Sequence, residues 1–342
     1  MVNVTVVGAT GYAGIELMRI LSGHDGVRIA HAVSKNFAGQ RLSEVYPSFH
    51  GQDYELEEMD IDNICRDSDI VFTCLPHGAS GEVVPGLLER GVKVIDLSGE
   101  FRYNDTAVYE SWYGMPHTAP HLLRSSVYGL PEIHRASIAG AKLVGNPGCY
   151  TTCSILPLYP LLMHGLLEHG GIIIDAKSGV SGAGRSEKLG YSFCETADNA
   201  KAYAAGTHRH TSEIEQELSI AAKEPVTLSF TPHLLPIKRG IIATIYATPK
   251  KRANETAISS AYEMYKYEPF VQMTDKLPEI KTVVGSNNCQ IGWVLDKRTN
   301  RLIIVSCIDN LIKGAAGQAV QNMNIMCSFD EREGLSSIGW YL

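Results

Sequence analysis

The turn Gly8-Ala9-Thr10-Gly11-Tyr12-Ala13-Gly14 sits between a β-branched run at 3–7 and a stretch, 13–21, whose apolar residues recur at helical spacing. A strand feeding a helix through three glycines leaves few folds open. Glycine permits positive φ, close approach of backbone to a pyrophosphate, and tight helix–strand packing. The helix N-terminus then offers unpaired N–H groups and the positive end of its dipole to phosphates. The spacing is GxxGxxG and not GxGxxG, so the motif draws its weight from context. That context is a βαβ rhythm. Strand signals at 27–33, 69–75, 92–97 and 142–146 alternate with helical ones at 81–90 and 150–163. Such alternation predicts an α/β fold with a Rossmann-type, doubly wound parallel sheet. Gly8, Thr10, Gly11, Tyr12, Ala13 and Gly14 are its candidate cofactor contacts. The second strand ends in Ala32-Val33-Ser34-Lys35-Asn36, with no acid to hold ribose hydroxyls. Ser34 and Lys35 suit a 2′-phosphate instead, which favours NADP(H) over NAD.

The second half reads differently. Strands are expected at 171–177, 226–234, 241–248, 289–295 and 302–308, the last two forming a hairpin across the polar turn 296–300. Helices are expected at 211–223, 255–267 and 311–326, with Ser212 and Glu215 as a capping box for the first. This predicts a second, α+β domain with a mixed or antiparallel sheet. The expected division is an NADP-binding domain at 1–148 and a catalytic, substrate-binding and oligomerisation domain at 149–310. The helical end, 311–342, is expected to pack back on the first.

A formal net charge of −7 over 342 residues disfavours nucleic acid or an anionic membrane as the main partner. It leaves room for a small anionic substrate held by a few local cations. No apolar run approaches the roughly 20 residues of a membrane helix. The opening residues lack a basic and apolar leader, and the eight cysteines include no CxxC pair. A cytoplasmic protein with reduced thiols is the expectation.

Gly145-Asn146-Pro147-Gly148-Cys149-Tyr150-Thr151-Thr152 carries the chemistry. A strand ends, Pro-Gly turns the chain, and a cysteine opens a helix. The helix N-terminus favours a thiolate, which makes Cys149 a candidate nucleophile. Cys153, one turn later, reads as a packing residue. The segment Thr207-His208-Arg209-His210-Thr211-Ser212-Glu213 supplies a proton-exchanging base, His208 or His210, with Glu213 to orient the imidazole. Zinc binding by both histidines, Cys149 and Cys153 is the weaker alternative, because CxxxC is not a usual structural zinc spacing.

These segments, with Leu75-Pro76-His77-Gly78, Ser178-Gly179-Val180-Ser181-Gly182-Ala183-Gly184-Arg185, 236–240 and 309–322, resemble N-acetyl-γ-glutamyl-phosphate reductase in order along nearly the whole chain. Aspartate-semialdehyde dehydrogenase is the nearest related plan. The resemblance implies NADPH-dependent reduction of N-acetyl-γ-glutamyl phosphate to N-acetylglutamate semialdehyde and phosphate, a step of arginine biosynthesis, through a thioester. It implies Cys149 as nucleophile, His208 as base and Glu213 as its support. Leu75, Pro76, Ser178, Gly179, Ser181, Gly182 and Asn310 are implied near the cofactor, and a homodimer or homotetramer is implied as the assembly. An anionic acyl phosphate requires cationic anchors; Arg102, Arg239, Lys238 and Asn146 are the candidates. Thr151 and Ser212 depart from the family pattern, which more often has a small apolar residue and a proline there. The competing readings are a related reductase of aspartyl phosphate or carrier-bound aminoadipyl phosphate, and a non-catalytic NADP-binding regulator.

Overall fold

The computed structural model describes residues 1–341, which divide into two compact units. The first comprises Met1–Pro147 and Ala315–Leu335; the second comprises Gly148–Gly314 and the segment 336–341.

The first unit is built on seven strands: β1 (Val2–Val7), β2 (Val27–Val33), β3 (Leu56–Glu57), β4 (Ile70–Thr73), β5 (Lys93–Asp96), β6 (Ser126–Tyr128) and β7 (Leu143–Gly145). Their order is β3-β2-β1-β4-β5-β7-β6, and every pairing is parallel. The central strand β4, Ile-Val-Phe-Thr, is buried throughout. A parallel strand covered on both faces needs such an apolar run instead of alternation. Helix α1 (Tyr12–Leu21) buries Leu17, Met18, Ile20 and Leu21 on one stripe. Helices α2 (Leu42–Val45), α3 (Ile61–Asp67), α4 (Ser80–Glu89), α5 (Thr106–Tyr113) and α6 (Pro131–Ala139) fill the connections.

The second unit holds α7 (Cys149–Met163), α8 (Phe193–Thr196), α9 (His210–Ala222) and α10 (Glu255–Tyr262). Its strands are β8 (Ile172–Gly179), β9 (Lys201–Ala202), β10 (Leu228–Leu235), β11 (Ile241–Ala247), β12 (Val271–Met273), β13 (Cys289–Asp296) and β14 (Arg301–Ile308). They run in the order β12-β13-β14-β11-β8-β10-β9. The sheet is mixed, because β8–β10 and β12–β13 pair parallel while the other pairs are antiparallel.

Helix α7 is buried along almost its whole length, although it contains Pro157 and Pro160. A helical proline removes the N–H that would satisfy the carbonyl four residues earlier. For Pro160 that carbonyl is Leu156, and the Tyr265 hydroxyl donates to it at 2.8 Å. The Tyr262 hydroxyl donates to the Pro157 carbonyl at 2.7 Å.

Several expectations need correction. The helix expected at 255–267 stops as an α-helix at Tyr262 and continues as a 3₁₀ turn, Glu263–Tyr265. The helix expected from 311 opens as a π turn, Ile312–Ala316, before α11 (Gly317–Cys327). The Ser212–Glu215 capping box does not form, because α9 begins two residues before Ser212. Ser212 Oγ donates to the Arg209 carbonyl, and Glu215 accepts the Leu228 N–H. The end of the chain divides: 315–335 lies in the first unit, where α11 packs on α6, α1 and β5, whereas 336–341 lies in the second. Among the described residues no helix is long and apolar enough to cross a membrane, and no group of three or more His, Cys, Asp or Glu is arranged to hold a metal ion.

Candidate active site

In the first unit the glycine turn lies where β1 and β4 diverge, at the carboxyl ends of the strands, the place where open α/β sheets take ligands. Gly8 has φ +86°, and a methyl group built on it would lie 2.4 Å from the Cys74 carbonyl oxygen. One on Gly14 would lie 2.1 Å from the Gly8 oxygen. Both positions therefore exclude any side chain. Gly11 differs: nothing lies closer than 3.5 Å to its added methyl, and as N-cap of α1 it leaves the first turn without a side-chain cap. The cradle thus has an open mouth and uncapped helix N–H groups, which fits a bound pyrophosphate. Tyr12 and Ala13 form the first turn of α1. At the end of β2, the buried Ser34 hydroxyl pairs with Thr10 Oγ1 at 2.8 Å, while Lys35 is exposed. Leu75 is half-buried and Pro76 exposed, just beyond β4.

Two of the expected anion anchors also lie in this unit. Arg102 is buried; its Nε donates to the Asn146 carbonyl at 2.6 Å and a terminal nitrogen donates to the Leu97 carbonyl at 3.0 Å. Asn146 donates to the Ala315 carbonyl and accepts from Asn322 Nδ2 at 3.0 Å. Both side chains tie the 97–102 loop, β7 and the start of α11 together.

In the second unit Cys149 is the first residue of α7 and is partly exposed. Gly148 before it is extended, at φ −68° and ψ 155°. The fully buried Glu213, on the first turn and a half of α9, accepts the Gly148 N–H at 3.0 Å. Thr151 Oγ1 lies 2.6 Å from the Gly148 carbonyl and 2.9 Å from Glu213 Oε1, so its one proton is shared. The departure at Thr151 thus takes part in the nucleophile's turn. Glu213, expected to orient an imidazole, bonds this turn.

His210 lies against the turn, and His208 lies next to it, with ring centroids 4.7 Å apart. His208 Nδ1 accepts the His210 N–H at 3.2 Å, which places the proton of the neutral ring on Nε2. Burial, and then the Arg209 cation, push the His208 pKa down to about 4. His210 packs against the residue before Cys149: a methyl built on Gly148 would fall 2.3 Å from its Nε2. Cys153 is fully buried, and burial pushes its thiol well above the ordinary range, so it does not compete as a nucleophile.

Sequence reasoning missed Gly314. In the π turn, its methyl would stand 2.7 Å from Cys149 Cβ, so only a glycine leaves room for Cys149 where it stands. A π turn at a functional position has a mechanical reason, but nothing in the local pattern separated 312–316 from ordinary helix. Asn310 precedes that turn. Its Oδ1 accepts the Gly240 N–H at 2.7 Å, and its Nδ2 donates to Ser181 Oγ at 3.0 Å. Gly182 faces Ser178 Oγ and Asn310 Nδ2, and Gly179 packs against the main chain of Lys238 and Arg239. Lys238 is exposed; Arg239 lies 3.6 Å from Asp309 Oδ2. The second unit therefore gathers Cys149, His208, His210 and Glu213 at one helix start, and Ser178–Gly182, Arg239 and Asn310 around another loop cluster.

The model of the semialdehyde dehydrogenase NAD-binding domain matches residues 3–141, and that of the semialdehyde dehydrogenase dimerisation domain matches 149–310. N-acetyl-gamma-glutamyl-phosphate reductase of Acetivibrio thermocellus is 53% identical over 100% of both chains. Those of Halothermothrix orenii and Geobacter sulfurreducens are each 51% identical over 99% of both. Among solved structures, aspartate semialdehyde dehydrogenase II from Vibrio cholerae superposes with a TM-score of 0.74 at 17% identity, covering 96% of this chain and 99% of that one. The Candida albicans aspartate semialdehyde dehydrogenase, solved with NADP, gives 0.65 at 16% identity, over 96% and 98%. At these identities the solved structures speak to the fold alone.

Proposed function

The chain belongs to the N-acetyl-gamma-glutamyl-phosphate reductases, and on that premise we propose that it reduces N-acetyl-γ-glutamyl phosphate to N-acetyl-L-glutamate 5-semialdehyde and phosphate, with NADPH as reductant and Cys149 as nucleophile. It is a phosphorylating oxidoreductase with a nicotinamide-binding domain. The observation that carries the cysteine mechanism is a partly exposed cysteine as the first residue of a buried helix, with the His210 imidazole against the preceding Gly148 and His208 next to His210.

The helix dipole favours the anionic form of Cys149. His210 is the group that takes the thiol proton, in place of the His208 that the family resemblance suggested. Two observations support this: His210 Nε2 packs on Gly148, and His208 Nδ1 is occupied by a backbone N–H. The thiolate attacks the acyl carbon, the bond to the phosphate oxygen breaks, and phosphate leaves with the electron pair and the proton from His210. Cys149 then carries a thioester. When bound, the nicotinamide supplies the hydride for that carbon. Backbone N–H groups at the start of α7 steady the oxygen that becomes anionic. Breaking the carbon–sulfur bond releases the aldehyde and returns Cys149 as thiolate.

Ser34 and the exposed Lys35 support NADP over NAD, since no carboxylate at the end of β2 would repel a 2′-phosphate. Arg239 and Lys238 are kept as contacts for the substrate's anionic groups. Arg102 and Asn146 serve first to bind their own unit's main chain. A homo-oligomer is supported by a row of apolar residues across the uncovered sheet face. Ile173, Tyr246, Ile303 and Val294 stand directly opposite one another in register, and three of them are exposed.

The test is Cys149→Ser, assayed as NADP reduction by N-acetylglutamate semialdehyde and phosphate. Turnover is expected to vanish while nicotinamide binding persists; retained turnover removes Cys149 from its role. His210→Ala should slow the reaction by about 10²–10⁴-fold, and more than His208→Ala does.

A further inference from the structure

The last described residues, 336–341, are received by a prepared surface in the second unit. The Ser336 carbonyl accepts the Asn287 N–H at 2.8 Å, the Ser337 carbonyl accepts Asn288 Nδ2 at 2.7 Å, and the Trp340 N–H donates to Val284 at 2.8 Å. Two glycines make room. A methyl on Gly285, which has φ +88°, would lie 2.5 Å from the Trp340 indole; one on Gly339 would lie 2.7 Å from the Thr282 carbonyl oxygen. A segment seated this closely is specified, yet Trp340 itself remains 55% exposed and adds little to any core.

The indole covers a cation. The Arg239 guanidinium carbon is 5.5 Å from the Trp340 ring centroid, and Asp309 Oδ2 is 3.6 Å from an Arg239 nitrogen. Asp309 is fixed in turn. It is fully buried and accepts the N–H groups of Gly285, Leu311 and Ile312 at 2.9, 2.8 and 3.1 Å. The main chain at 238–240 is held against Gly179 and by Asn310. Arginine is a long side chain whose ordering is costly, and a ring on the guanidinium face confines its plane while leaving the N–H edges in that plane.

We propose that Trp340 is a positioning residue for substrate binding: it holds the Arg239 guanidinium in the plane from which it meets an anionic group of the acyl-phosphate substrate. The end of the chain is thereby part of the substrate site. This rests on the reading of Arg239 as an anion contact.

The experiment uses the full-length enzyme with N-acetylglutamate semialdehyde, phosphate and NADP⁺. Trp340→Ala should raise the KM of semialdehyde or phosphate by about two- to thirty-fold, the range a cation–π contact spans. The KM for NADP⁺ and kcat should stay near their parent values. Trp340→Phe, which keeps an aromatic face, should recover most of the affinity; Trp340→Leu, which keeps only bulk, should not. In an Arg239→Ala background, Trp340→Ala should add nothing. If Arg239→Ala raises the KM and Trp340→Ala does not, or if Leu rescues as well as Phe, Trp340 is only a cover and the inference is overturned. If Arg239→Ala itself leaves the KM of both semialdehyde and phosphate unchanged, the anchor reading falls and takes the inference with it.

Discussion

Gly148→Ala isolates the contact between the nucleophile's turn and His210. At φ −68° and ψ 155° the residue is in extended backbone that alanine adopts without strain, so the whole effect comes from the added methyl. That methyl would meet His210 Nε2, Cε1 and Cδ2 at 2.3, 2.6 and 2.8 Å. Carbon contacts settle near 3.5–4.0 Å, so the ring must retreat by about 1 Å. Overpacking costs about 1–3 kcal/mol, offset by about 0.4–1 kcal/mol because alanine restricts the unfolded chain. Stability should therefore fall by no more than about 2.6 kcal/mol, a loss of a few degrees in Tm. Turnover should suffer far more, because displacing a reacting group by about 1 Å costs on the order of 10²-fold. Three measurements on one preparation decide it: steady-state NADP⁺ reduction, alkylation of Cys149 by iodoacetamide, and a thermal melt. The expected pattern is a large fall in kcat, a thiol that still alkylates, and a nearly unchanged melt. Added to His210→Ala, the substitution should cost little more. Parent-level turnover in Gly148→Ala would refute the placement of His210 as the proton carrier.

Other outcomes follow from the same geometry. The His208 pKa lies below the ordinary histidine value, so the folded state resists its protonation. That contribution to stability is complete above about pH 6.5 and is lost as pH falls toward about 4, by roughly 3 kcal/mol at most; His208→Gln should flatten the denaturation midpoint over that window, and an unchanged slope counts against the burial. Glu213→Ala strands the Gly148 N–H, while the Thr151 hydroxyl keeps the Gly148 carbonyl, and should cost about 1–3 kcal/mol for the donor left buried without its acceptor. Glu213→Gln keeps an acceptor there, so urea denaturation should show most of that stability retained; equal losses in both variants would make charge, not the bond, the important property. Lys35→Ala should weaken NADPH binding and leave NADH binding unchanged, measured by nicotinamide fluorescence titration; an equal loss for both would remove the 2′-phosphate contact.

The doubly wound sheet was legible because its strands are continuous apolar runs set between glycine turns, as β1 and β4 are. The short edge strands β3 and β6 were not. Two or three residues carry no period, and they pair only because neighbouring strands present an edge. The Ser212–Glu215 pattern fitted a cap, but α9 starts earlier, on the first residue after Arg209, and tertiary partners took both side chains. At the site, Pro-Gly-Cys at a strand–helix junction singled out Cys149 as the candidate nucleophile, and the structure sets it on the first residue of α7. The pattern His-Arg-His could not say which ring faces it, because that depends on how α9 packs on α7, which joins residues some sixty positions apart. Arg102, a cation at a strand's carboxyl end, suggested a ligand contact, and in the structure its guanidinium also donates to the Asn146 and Leu97 carbonyls. Nothing local distinguishes the two uses.

The stretch 315–335 completes the first unit, although it is made some 170 residues after that unit's other residues. Its helix α11 is buried nearly throughout. On a ribosome adding about 5–20 residues per second, the nucleotide-binding half must wait on the order of ten seconds, with one wall missing, while the other half emerges. The other half is continuous from Gly148 to Gly314 and lacks only the short segment 336–341 when Gly314 emerges. A nascent chain stalled once Gly314 has emerged should therefore already hold the cysteine helix in place while its dinucleotide cradle is still open to proteases.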